Sequence, residues 1–273
     1  MPSLLAARKH LCVAALVAGF AAPGAMAQDN EGAGSGADPF AGERSIDPKA
    51  EEYMGAACRF LASQKAFSVH SGATVEQLFR SGRRIQRSRG GTVVLQRPDK
   101  LWADYQSDKG HRVMRFDGKT LVINDVDQKV YGKIDSPGTI EQMLTAAQDR
   151  FDVVVPLADL LYEDPCAALK TSVDHAWYLG KSYFAGEHYH HILMSAPEVD
   201  LQIWVTDGKQ PVIRKVVLTY KNEPGEPQYG AVLTDWNFRP RISKTQFSFK
   251  PAADAREIQF VTAEAPAASA TQE

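Results

Sequence analysis

Residues 199–238, VDLQIWVTDGKQPVIRKVVLTYKNEPGEPQYGAVLTDWNF, hold three runs rich in β-branched and aromatic residues, separated by the turn signals Asp207-Gly208 and Pro224-Gly225. The pattern is that of a meander of antiparallel strands. Each run sets one apolar row against interspersed polar residues, as a sheet with one buried side requires. The rows are Leu201, Ile203 and Val205, then Val216, Leu218 and Tyr220, then Val232, Trp236 and Phe238. So much same-face apolar surface has to be covered, because large open patches are uncommon on monomers. Either helices fill the space above it, or they leave room for an apolar ligand, and these residues are then the ligand-binding candidates.

Working outward, further strand candidates follow closely on one another at 67–79, 83–89, 92–96, 101–107, 111–116, 120–125, 129–133, 173–179 and 188–195. Helical signals interrupt them. Asp47-Pro48 supplies a cap and a first-turn proline, after which Ala50, Tyr53, Met54, Ala57 and Leu61 recur on one face. Ile140, Met143, Leu144 and Ala147 repeat that spacing, a short helix is expected in PLADLLYED from Pro156, and a third helix is expected to start at Asp164-Pro165. The fold class is therefore mainly β with helices (α+β). One large antiparallel sheet is expected over residues 46–262, with the helices as a lid on its concave face. Residues 28–45 and 263–273 are too rich in small and polar residues to bury a core, and read as a disordered leader and tail.

Arg8 and Lys9 before the apolar run Leu11–Ala22, and the small-residue site Ala25-Met26-Ala27, read as a secretory signal peptide over residues 1–27. Pro23 and Gly24 end the run too early for a spanning helix, so the mature chain is expected to be periplasmic and without a transmembrane segment. Cleavage leaves 29 Lys and Arg against 33 Asp and Glu, a net charge of −4. That balance argues against nucleic acid as a partner. The cluster Arg80, Arg83, Arg84, Arg87 and Arg89 reads either as a solvated hairpin face or as a docking patch for anionic lipid or an acidic partner. Of three cysteines, Cys12 leaves with the signal peptide, and export allows Cys58 and Cys166 to form a disulfide, with unpaired burial as the alternative.

No nucleophile elbow, Walker loop, Cys-x-x-Cys pair or His-Glu-x-x-His helix occurs, and the glycines at 32, 34 and 36 lack the strand a dinucleotide turn needs. The chain is expected not to be an enzyme and to need no cofactor. One arrangement could carry chemistry. In EHYHH, His188 and His190 fall on the same face of a strand and could share a metal, although the sequence names no third ligand.

Several segments together resemble a bacterial family of predicted periplasmic proteins, domain of unknown function family 2092. They are RPDKL (97–101), FDGKTL (116–121), SPGTIE (136–141), PLADLLYEDP (156–165), VDLQIWV (199–205), PVIRKVVLTYK (211–221) and PGEPQY (224–229), and the resemblance spans roughly residues 48–260. That family is similar in fold to the LolA and LolB lipoprotein carriers. The resemblance implies an incomplete antiparallel β-barrel closed by a helical lid, with a cavity for a lipid or a lipoprotein acyl chain, and it carries over no catalytic residue. The expected function is non-catalytic binding of such an apolar ligand. The alternatives are an envelope sensor or interaction module with an envelope protein partner, and a metal-dependent enzyme built on His188 and His190.

Overall fold

The computed structural model describes residues 40, 44–167 and 172–262. The signal peptide, most of the leader, the tail and part of the third expected helix lie outside them. Thirteen strands form one sheet. The first half of the chain supplies β1 (Ser45–Ile46), β2 (Ala66–Leu78), β3 (Arg84–Gln96), β4 (Lys100–Ser107), β5 (Gly110–Phe116), β6 (Thr120–Asp125) and β7 (Val130–Asp135). The second half supplies β8 (His175–Phe184), β9 (Glu187–Ser195), β10 (Val199–Val205), β11 (Ile213–Tyr220), β12 (Gln228–Asn237) and β13 (Arg256–Glu257).

The spatial order is β1-β8-β9-β10-β11-β12-β2-β3-β4-β5-β6-β7-β13. The quoted meander is thus the middle of one wing, and the long-range pairing of β12 with β2 joins that wing to the N-terminal one. All pairings are antiparallel except two short parallel ones at the ends, β1 with β8 and β7 with β13. The sheet's edges do not meet, so it is an open, curved sheet and not a closed barrel. Ser45, assigned from sequence to the leader, pairs with His175, and Phe40 packs edge-on against Trp177 at 5.1 Å.

Among the described residues two helices longer than a single turn lie on the apolar side. In α1 (Pro48–Ala62) the Asp47 carboxylate accepts the Lys49 N–H at 2.7 Å, and Ala50, Met54, Ala57, Cys58 and Leu61 form the buried stripe that meets β8, β9 and β10. In α2 (Ile140–Phe151) Thr139 and Gln142 make a reciprocal capping box, and Ile140, Met143, Leu144 and Ala147 are buried. The expected helix in PLADLLYED is a single 3-10 turn, Ala158–Leu161. Cys58 of α1 and Cys166, beyond that turn, are bonded, with Cα atoms 5.8 Å apart, which lies within disulfide geometry.

Two sequence expectations need correction. Residues 83–89 and 92–96 are one continuous strand, because Gly90 and Gly91 are paired on both flanks, with Gly72 and Ser71 of β2 and with Gln106 and Tyr105 of β4. Gly91 does not end the strand. Its missing side chain lets the backbone of Asp104 and Tyr105 come close, where a Cβ would collide. The second correction concerns Val232. It pairs with Lys215 on the outer face, whereas Tyr229, Ala231 and Leu233 are the inward residues of β12. A bulge between Thr234 and Asn237, with Asp235 at φ 54, then shifts the alternation, so that Trp236 and Phe238 face the core again.

Candidate functional site

The two wings differ in what covers their inner face. Under α1 the meander is filled. Leu201, Ile203, Val205, Val216 and Leu218 are no more than 3% exposed and belong to the core cluster with Met54, Cys58 and Leu61. Trp236 and Phe238 are partly buried at its border, where Phe238 meets Phe60 at 4.8 Å and Trp236 meets Phe67 at 5.4 Å. Of the rows singled out from sequence, the five core residues are thus packed on all sides, while Tyr220, Trp236 and Phe238 are partly buried and Val232 lies on the outer face.

Open space lies in the other wing. Its inner rows are built from small residues, with Ser71 beside Gly91, Ala73 beside Arg89, and Val93, Ala103 and Met114 side by side across three strands. Small side chains set the floor low. The segment Val153–Pro156, which runs from α2 to the 3-10 turn, passes above it, and the cleft between them measures about 160 Å³. Tyr105 and Tyr229 complete its walls. Of the residues picked from the meander, none lines this cleft; Tyr220 comes nearest, close to Arg89 and Tyr229. A same-parity run of Ser, Ala and Gly at 71, 73, 91 and 103 was the signal in the sequence, but only the strand register makes those residues one floor.

Arg89 stands at the wall of the cleft, with its guanidinium 5.1 Å over the Tyr229 ring. Burial pushes the Tyr229 phenol above its ordinary range. Burial, with Tyr229 nearby, pushes Tyr220 up to about 12. Both phenols keep their protons at neutral pH. Neighbouring charges are matched: Arg84 with Glu76 at 3.0 Å, Arg87 with Asp108 at 3.2 Å and Arg112 with Asp125 at 3.2 Å. Among the described residues Arg89 has no carboxylate at ion-pair distance.

A larger cleft, about 490 Å³, lies on the outer face, between β4–β6 and the segment 243–255. Its lining is mostly polar, including Arg115, Asn124, Gln246 and Lys250, with Trp102 and Phe249 as the aromatic members. It offers no continuous apolar floor.

His188 and His190 share a face but not a site. His188 is exposed, against Tyr183, while His190 is 3% exposed, stacked on Tyr53 at 3.5 Å and hydrogen-bonded to the Tyr178 hydroxyl at 2.9 Å. His191 lies on the opposite face, stacked on Trp204 at 4.0 Å. Among the described residues no three His, Cys, Asp or Glu side chains gather as metal ligands. The Arg80–Arg89 cluster sits on the β2–β3 hairpin, where Arg84 also donates to the Gly225 carbonyl at 2.6 Å.

The model of the family described as predicted periplasmic protein (DUF2092) matches residues 50–261. The chain belongs to this family. No curated protein matches it. Among solved structures, this DUF2092 member is similar to an uncharacterized conserved protein from Thermus thermophilus, with 8% identity, 77% of this chain and 99% of that chain covered, and a TM-score of 0.45. It is also similar to the lipoprotein LppX of Mycobacterium tuberculosis (10% identity, 72% and 100% covered, TM-score 0.43). A LolA superfamily protein from Nitrosomonas europaea gives 9% identity, 72% and 96% coverage, and a TM-score of 0.38. Likeness at these scores carries no functional weight. Among the described residues no helix is long and apolar enough to cross a membrane.

Proposed function

We propose that this protein is a periplasmic, non-catalytic binder of a lipid or lipoprotein acyl chain, and that the chain enters the cleft between β2–β5 and the Val153–Pro156 segment. The observation that carries the reading is the cleft itself: an apolar floor of Ala73, Val93, Ala103 and Met114 under an apolar roof, with no side chain plugging the space. Each methylene moved from water into it is worth about 0.8 kcal/mol. A cleft of about 160 Å³ holds only about five groups of the size of a water molecule, so a long chain requires the roof to lift.

The roof is suited to that movement. It is bracketed by Asp152 (φ 57) and Leu157 (φ 59), both in the left-handed region that non-glycine residues rarely adopt, and its Val154 is 39% exposed. In this reading α2, the roof and the 3-10 turn form the working lid, while α1 closes the filled wing. Residues 1–27 direct export and are then removed, so the acting protein starts at Gln28.

The test uses a neutral apolar dye, phenylnaphthylamine, on delipidated mature protein. The wild type should bind it with enhanced fluorescence, and Ala103→Trp, which fills the floor, should weaken binding roughly tenfold while the thermal melt stays cooperative. A wild type that binds no dye, or an A103W protein that binds as well as wild type, removes the cleft from consideration.

A further inference from the structure

Resting on the cleft reading above, we propose that the ligand is a single-chain amphiphile with an anionic head group, a carboxylate or a phosphate. Its head is held by the Arg89 guanidinium together with the hydroxyls of Tyr229 and Tyr220, at the end of the apolar floor.

The placement follows from strand register. Arg89 sits in the inward row of β3, level with Ala73 of β2 and two residues from Gly91, so a cation stands on the same surface as the small apolar residues that floor the cleft. Long cationic side chains in such rows usually reach out to water or to a carboxylate. Arg84, Arg87 and Arg112 do meet carboxylates. Arg89 instead folds back over the Tyr229 ring. There its charge lies against an aromatic face, and among the described residues no carboxylate takes its fork of donors.

An arginine held at an apolar wall without a counter-charge suits an incoming anion. Two N–H groups can grip a carboxylate or phosphate side by side, and charge-assisted bonds of this kind are stronger where water is excluded. The two phenols add donors. Both are protonated at neutral pH, so each hydroxyl has a proton to give. A neutral head would leave Arg89 beside the bound chain with nothing gained, so the site discriminates by charge as well as by chain.

Competition against phenylnaphthylamine with dodecanoate, dodecyl phosphate and dodecanol tests this, because the three share a chain and differ in the head. Wild-type protein should hold at least one of the two anions roughly tenfold more tightly than dodecanol. Preference for dodecanoate points to free fatty acid, and preference for dodecyl phosphate to a phospholipid-type head. In Arg89→Gln both anions should fall to the level that dodecanol reaches in the same variant, and Arg89→Lys should keep part of the preference. Equal binding of all three by the wild type, or a preference that survives in R89Q, overturns the head-group assignment and leaves the cleft reading standing. If the wild type holds none of the three, the cleft reading fails and takes this assignment with it. Should R89Q lose dodecanol as well, Tyr229→Phe and Tyr220→Phe decide: they keep ring and charge, and an unchanged anion preference in both overturns the assignment.

Discussion

The wing under α1 and the wing under the Val153–Pro156 roof use the same sheet and reach opposite results. In the first, Leu201, Ile203, Val216 and Leu218 present branched side chains to a core that also takes in the buried stripe of α1, and they are no more than 3% exposed. In the second, Ser71, Ala73, Gly91 and Ala103 occupy the corresponding inward positions, and the element above is an irregular segment instead of a helix. Open space thus follows from side-chain volume and from the regularity of the cover. Hydrophobicity alone marks the wrong wing, since the most apolar rows are the ones with no room.

The largest expected effect separates the wings by folding. Leu218→Asp buries an unpaired charge in the filled core and should leave no cooperative melt, a cost on the order of 4 kcal/mol or more. Leu218→Ala should cost about 2–5 kcal/mol, whereas Val93→Ala, beside space that is already open, should cost about 1 kcal/mol, and urea midpoints measure both. Equal costs at Leu218 and Val93 would erase the distinction. Next comes the bond between Cys58 and Cys166, which ties α1 to the cover of the open wing across a sequence separation of 108. Loop-closure entropy assigns about 4–5 kcal/mol to such a bridge as an upper value. Reduction should therefore lower the melting temperature and speed dye entry; thiol labelling of unreduced, denatured protein should find no reactive cysteine.

The smallest effect concerns the outer face of the filled wing, where Trp204 lies between His191 and Lys215. Burial, and to a lesser degree the Lys215 charge, hold the His191 pKa below 6.5 against the opposing hydrogen bond to Gln202. The unfolded chain then binds the proton more readily than the folded one. The contribution of His191 to stability is present above pH 6.5 and is lost as pH falls from there toward its lower folded value. Melting temperatures recorded between pH 7.5 and about 5 should decline less steeply in His191→Gln than in wild type. A slope unaltered by H191Q would place the titrating group elsewhere.

Much of this architecture is written locally. The cap at Asp47, the helical spacing of Ile140, Met143, Leu144 and Ala147, the Asp-Gly and Pro-Gly turns and the alternation in β10 and β11 announce helices, hairpins and one buried face by themselves. Two features resisted because a local pattern has more than one structural outcome. Gly90-Gly91 looks like punctuation but is a site of close strand approach, and the outlying φ of Asp235 reverses the phase of β12, which strict period-two counting carries straight through. The cleft resisted for another reason. Its floor draws on β2, β3, β4, β5 and β12, and small residues become a cavity only when pairing across long sequence separations sets them side by side.

The central claim, that ligand enters beneath Val153–Pro156 and not beneath α1, is tested most directly by methyl-resolved NMR of delipidated protein titrated with dodecanoate. The account predicts shift changes at Ala73, Val93, Ala103, Met114 and Val155, with Leu201, Ile203, Val216 and Leu218 unmoved. Changes centred on those meander residues, or none at either set, would contradict it.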